Sequence, residues 1–162
     1  MSDTSWDALE RAIALAVRAH HGQRDKADQP YILHLLRVMH AVHDPIEQQA
    51  AVLHDYIEDV GGTVDALTQN AISKPAIEAI LCLTRHETST YCDYVIQLST
   101  DPVATRVKLA DLEDNYRIGR VALRVEHIEE DSKRILKYVL TYQFLSNTID
   151  EREYRRRMVG LE

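Results

Sequence analysis

Apolar residues recur at three- and four-residue steps along almost the whole chain, the signature of amphipathic helices. After Thr4-Ser5, the positions Leu9, Ile13, Ala16 and Val17 predict a first helix ending near His20. The stretch from His21 to Pro30 has no periodicity and several turn formers, and reads as a loop carrying Arg24 and Lys26. Pro30 suits the first turn of a second helix with an apolar stripe of Ile32, Leu35, Leu36, Met39 and Val42, and His34 falls near its start. Asp44-Pro45-Ile46-Glu47 combines an N-cap acid, a proline at the first helical position and a glutamate three residues after the cap. The helix it opens is expected to run to Gly61-Gly62. Asp101-Pro102 repeats the start, so His54 and Asp111 each lie ten residues beyond a capping aspartate, about 15 Å along a helix. Between them, Ser73 to Thr84 and Ser89 to Leu98 predict two helices joined by the polar link Arg85-His86-Glu87-Thr88, and a long amphipathic helix is expected from about Val121 to Ser146. No strand pattern, internal repeat or low-complexity segment interrupts this. The expected fold class is all-α, one helical bundle over 1–162 with 147–162 as a C-terminal helical extension.

Composition narrows the class further. At 162 residues, 45% hydrophobic and 28% charged, the chain fits one soluble globular domain. No apolar run approaches the roughly 20 residues of a membrane span, and the acidic start shows no secretory signal, so no membrane partner and a cytoplasmic location are expected. Cys82 and Cys92 form no metal or redox pattern and read as reduced packing residues. A net charge of −7 argues against a nucleic-acid surface, which needs clustered cations. A small anionic substrate held by local cations is compatible with that field, and so is a homo-oligomer.

The apolar run Ala50-Ala51-Val52-Leu53 ends in His54, Asp55, Tyr56, Glu58 and Asp59, groups that are costly to bury without partners. With His34 and Asp111 from other helices, His54 and Asp55 make a two-histidine, two-aspartate set suited to one divalent metal. Imidazole and carboxylate ligands without thiolates fit Mn2+, Fe2+ or Zn2+, with positions left for water or substrate oxygen. Glu58 and Asp59 follow Asp55 at i+3 and i+4, which predicts that they share its face and lie beside the metal as catalytic groups handling a water's proton. Phosphorus is the target such a site suits, with Arg24 and Lys26 holding the rest of a polyphosphate. His20, His21, His40, His43, His86 and His127 read as ordinary surface or core histidines, and Arg152, Arg155, Arg156 and Arg157 as a solvated helix end.

The segments Ala19-His20-His21-Gly22-Gln23-Arg24, Pro30-Tyr31-Ile32-Leu33-His34, Ala50 through Asp59 and Val107-Lys108-Leu109-Ala110-Asp111-Leu112-Glu113-Asp114-Asn115 resemble the HD-domain metal phosphohydrolases. The resemblance spans about residues 8 to 120, and the Pro-Tyr-Ile-x-His element is similar to the branch holding the stand-alone alarmone hydrolases and the hydrolase half of RelA/SpoT-type enzymes. It implies an all-helical HD fold with Mn2+ bound by His34, His54, Asp55 and Asp111, and Glu58 and Asp59 as the acidic pair assisting the water. It further implies guanosine nucleotide contacts from Arg24, Lys26 and Asn115, and removal of the 3′-pyrophosphate of (p)ppGpp. Leu35 stands where the family usually has proline, the loop reads Arg-Asp-Lys where adjacent cations are common, and Leu83 to Tyr94 is closer to uncharacterised short HD proteins. No synthetase, TGS or ACT-like region accompanies these motifs, so a bifunctional enzyme is not expected. The competing expectations are cleavage of a nucleoside monophosphate or NADPH at a monoester, a non-catalytic nucleotide or metal sensor, and a structural module whose polar groups form a buried network.

Overall fold

The computed structural model describes residues 4–117 and 125–161. Helix α1 (Thr4–Ala19) leads through the predicted loop to α2 (Ile32–Ala41), α3 (Pro45–Val52) and α4 (Tyr56–Val60). The short α5 (Val64–Gln69), which the periodicity did not reveal, precedes α6 (Lys74–Leu83), α7 (Tyr91–Leu98) and α8 (Pro102–Asn115). A 3-10 turn at Val125–His127 leads into α9 (Ile128–Leu145), and α10 (Glu151–Met158) closes the chain. The expected helix start near Val121 lies outside the described residues. Among the described residues no strand forms, only an isolated bridge between Arg24 and Pro30, and no helix is long and apolar enough to cross a membrane.

The two aspartate-proline starts behave as local chemistry dictates. Asp44 accepts the Ile46 N–H and Asp101 the Ala104 N–H, each satisfying a donor that the first helical turn leaves open. Helix α3 is the hub, packed on by α1, α2, α6 and α8. Its Ala50, Ala51 and Val52 are fully buried, and small side chains let four neighbours approach closely. Helix α10 sends Tyr154 and Met158 into the same core, where Tyr154 stacks on Phe144 at 4.7 Å and its hydroxyl lies 3.0 Å from the Thr141 hydroxyl. The C-terminal extension is thus part of the core.

One expectation is corrected. The helix opened at Asp44 does not continue to Gly61, because the backbone leaves helical geometry at Leu53 (φ −115°, ψ 9°) and Asp55 (φ −99°, ψ 4°). His54 and Asp55 therefore occupy a turn between α3 and α4. The Tyr56 N–H still bonds the Leu53 carbonyl at 3.0 Å, and α4 ends at Gly61, whose φ of +66° suits glycine. At Gly62 an added Cβ would sit 2.1 Å from the Tyr56 ring, so this position admits no side chain without moving that ring.

Candidate metal centre and its cavity

The α3–α4 turn, the first turn of α2 and the middle of α8 converge in the bundle interior. His34, His54 and Asp111 are all buried, and each offers one ligand atom within 4.8 Å of the others. His34 Nε2 lies 3.3 Å and His54 Nε2 3.7 Å from Asp111 Oδ1. Asp55 stands beside this trio, its Oδ2 3.0 Å from His54 Nε2 and accepting the Tyr31 hydroxyl at 2.6 Å. The four expected ligands are thus neighbours, with the tight cluster made by three of them.

The tautomers follow from the partners. His34 Nδ1–H donates to Asp114 Oδ2 at 2.7 Å and His54 Nδ1–H to the Ala51 carbonyl at 2.7 Å, since both partners are acceptors only. Each Nε2 then turns a lone pair inward, and that of His54 is buried without a hydrogen-bond partner despite two nearby carboxylates. Lone pairs facing carboxylate oxygens repel unless a positive charge lies among them. A divalent cation fits this need, and the outer bonds from Nδ1 are those that orient metal-binding imidazoles.

The electrostatics agree. Burial favours the neutral form of Asp111, but Lys108 and the two histidines outweigh it and hold the carboxyl well below its usual range. Burial likewise opposes ionisation of Asp55, and the adjacent His54 and the Tyr31 hydrogen bond overcome it and lower its pKa. For His54, burial lowers the pKa while Asp55 and Asp111 raise it further, so the net shift is upward. His34 moves the other way because burial dominates. The same cluster that attracts a proton to His54 attracts a metal cation, and the two compete.

A cavity of about 340 Å³ opens onto the cluster, lined by the loop 24–27, Tyr31, Lys108, Asn115, Arg134 and Tyr138 as well as His34, Asp55 and Asp111. Arg24 and Lys26 border it as expected. The loop that carries them is pinned by Asp25 Oδ1, which accepts the N–H groups of Ala27 and Gln29 at 2.9 Å, while Arg24 donates to the Asp28 carbonyl at 3.0 Å. Asn115 also borders it, its Nδ2 donating to Asp111 Oδ1 at 2.6 Å. A larger cavity of about 500 Å³, lined by Leu112, Tyr116, Tyr138, Val139 and Tyr142, is mostly apolar, so the ionic chemistry belongs to the smaller one.

Glu58 and Asp59 are brought near but not inward. Both are exposed and neither lines the cavity, although the Asp59 N–H bonds the Asp55 carbonyl at 2.9 Å and so keeps them on the helical turn that Asp55 opens. Glu58 Oε2 accepts the Arg85 backbone N–H at 3.1 Å, and Asp59 Oδ2 accepts the Gln23 amide at 2.9 Å. Gln23 Oε1 lies 2.6 Å from His20 Nδ1, and the buried His20 stacks on Tyr31 at 5.5 Å, linking Asp59 to the Asp55 hydrogen bond. Of the histidines read as ordinary, His20 is buried and His21, His40, His43, His86 and His127 are exposed.

Sequence reasoning missed Asp114, Arg37, Lys108, Arg134 and Tyr138. Arg37 grips Asp114 through Nε at 2.7 Å and Nη2 at 3.2 Å, steadying the carboxylate that orients His34. Lys108, Asp111 and Asn115 fall at i, i+3 and i+7, a signal legible once Asp111 is placed. Arg134 and Tyr138, four apart on α9, could have been paired the same way only with knowledge of where α9 packs.

No protein-family model matches the chain. It is 29% identical over 157 residues to a GTP pyrophosphokinase of Streptomyces coelicolor, the match covering 87% of this chain and 18% of that protein. A GTP pyrophosphokinase of Myxococcus xanthus is 25% identical over 148 residues, covering 81% of this chain and 19% of its own length. The chain thus spans about a fifth of the length of these relatives. Among solved structures, it is similar to a metazoan ortholog of SpoT that hydrolyzes ppGpp and plays a role in starvation responses, with a TM-score of 0.69 at 19% identity over 96% of this chain and 97% of that one. The helical bundle described above is the fold of that protein.

Proposed function

We propose that this chain is a metal-dependent phosphohydrolase that removes the 3′-pyrophosphate from guanosine 3′,5′-polyphosphates in the cytoplasm. The observation that carries the reading is the cluster of His34, His54 and Asp111, with an unpartnered His54 Nε2, beside a cavity that Asp55, Arg24 and Lys26 also border. Similarity to the pyrophosphokinases and to the ppGpp-hydrolysing SpoT ortholog supports the same substrate class.

His34, His54, Asp55 and Asp111 would hold the cation, with Mn2+ expected. When bound, it supplies Lewis acidity, lowering the pKa of a water towards about 7 and offsetting charge on phosphoryl oxygens. Tyr31 keeps Asp55 oriented, and Asp114 keeps His34 in the ligating tautomer. Glu58 and Asp59 would handle the proton of the attacking water once released from the Arg85 N–H and the Gln23 amide, which hold them outside the cavity lining. The water oxygen bonds to phosphorus as the ester bond to the ribose 3′ oxygen breaks, leaving a 3′-hydroxyl and pyrophosphate. Arg24 by its fork, Lys26 as a point charge and Asn115 by its amide hold the nucleotide.

The deciding experiment incubates the purified protein and Mn2+ with ppGpp, nucleoside monophosphates and NADPH and identifies products by mass. Pyrophosphate from ppGpp is expected, and Asp55→Ala is expected to abolish it. Orthophosphate from a monoester would move the substrate to another nucleotide, and no product from any of them would favour a sensor.

A further inference from the structure

Lys108 is a lysine placed where lysines are seldom found. Its side chain is only 15% exposed, it lies on the same face of α8 as Asp111 and Asn115, and it lines the metal-centre cavity. Nζ donates to Asp111 Oδ2 at 2.8 Å. The carboxylate is thereby divided: Oδ2 belongs to Lys108, while Oδ1 receives the Asn115 amide at 2.6 Å and faces both histidine nitrogens. An ammonium has three N–H donors, and among the described residues only the one to Asp111 has a partner. Lys108 lines the polar cavity beside the ligand cluster, which leaves the other two donors available to a group bound there. A group needed only to balance the charge of Asp111 would require no such cavity position.

We propose that Lys108 binds the phosphoryl group under attack, its two remaining N–H groups donating to non-bridging oxygens while the first stays on Asp111 Oδ2. This rests on the phosphohydrolase reading and extends it to a residue shared between the ligand cluster and the substrate. Lys108 is then the inner cation of the site, with Arg24 and Lys26 on the loop as the outer ones. A phosphoryl group placed there is met by positive charge on the side of α8 as well as by the cation.

The test uses the full chain, its Lys108→Met and Lys108→Arg variants, and inorganic pyrophosphate as the probe. Calorimetry measures Mn2+ affinity of the metal-free proteins, then pyrophosphate affinity with the site saturated by Mn2+. Losing a charged hydrogen-bond donor is expected to weaken pyrophosphate binding of Lys108→Met by at least about tenfold, with partial recovery in Lys108→Arg. Turnover of ppGpp at saturating Mn2+ should fall in parallel. A drop in Mn2+ affinity with unchanged pyrophosphate binding once the site is filled would make Lys108 a brace for Asp111 and overturn the proposal. Should Lys108→Met not fold, the wild-type protein carries the test: the Lys108 Nζ resonance must shift when pyrophosphate is added to protein loaded with a diamagnetic divalent ion, and an unmoved signal refutes the contact. Lys108-dependent pyrophosphate binding without turnover of ppGpp would leave this contact standing while the assigned reaction fails.

Discussion

Two arginine-carboxylate pairs in this molecule have the same length and different meanings. Arg37 Nε meets Asp114 Oδ1 at 2.7 Å, and Arg155 Nη1 meets Asp93 Oδ1 at 2.7 Å. The first pair is 28% and 5% exposed and backs His34, whereas the second is 47% and 56% exposed and ties α10 to α7. Around the second, Arg155 also pairs with Glu151, and Glu153 with Arg156 and Arg157, so the arginine cluster is the solvated helix end that its sequence implied. Water already stabilises those charges, and pairing adds little to them. In the first pair Asp114 lacks that solvent, and deleting its partners would strand its charge. Burial, rather than distance, decides which pair the protein depends on.

The largest effect should come from Asp114→Ala. It strands Arg37 and removes the acceptor of His34 Nδ1, so a loss of about 3 to 5 kcal/mol in unfolding free energy is expected by denaturant titration. The same variant should lose about 10- to 100-fold in Mn2+ affinity by calorimetry. Stability and affinity like wild type would erase the contrast between the two pairs.

Metal removal should rank next. A ligand bound only by the folded state stabilises it by about 2.7 kcal/mol at a free concentration of roughly 100 times its Kd. Chelation should therefore lower the melting temperature, and Mn2+ should restore it. A melting curve indifferent to both would mean that the histidine-aspartate cluster is a structural network.

Arg155→Ala should have the smallest effect, a melting temperature indistinguishable from wild type, measured side by side at low and high salt. Acid provides a finer probe of the same helix. Arg156 and Arg157 hold the Glu153 carboxyl down to about 2, so its contribution is present above the ordinary glutamate range and fades as pH falls towards 2. The melting curves of wild type and Glu153→Gln should accordingly draw together on acidification. A gap that widens instead would show that Glu153 is engaged in something other than these ion pairs.

Much of the bundle is legible in the chain because its signals are local. The starts at Asp44 and Asp101 require only an aspartate, a proline and the donors of one helical turn, and both appear where expected. His34, His54, Asp55 and Asp111 can be assembled as a set because helical spacing makes their residue types informative together. The break at Leu53 to Asp55 could not be read, since Ala50-Ala51-Val52-Leu53 is a good helical run and nothing local interrupts it. Glu58 and Asp59 are expected beside the metal from their i+3 and i+4 spacing to Asp55, and that spacing survives in α4 without saying which of its side chains packing buries. Asp114 and Lys108 lay in view within a recognised motif, yet an aspartate and a lysine on a helix are ordinary until their surroundings are known.

The amino-acid order by itself determined most of the stretches that become helices, where most of them start and which residue types can bind a cation, because periodicity, capping and ligand chemistry act within a few residues. Only tertiary packing decided that α3 would stop one residue short of His54's neighbour Leu53, that Asp114 and Arg37 would steady His34, and that Tyr154 and Met158 would draw α10 into the core. Those outcomes depend on burial and on partners 77 or more positions away in the case of Asp114, and no local pattern encodes the dielectric a charge will meet.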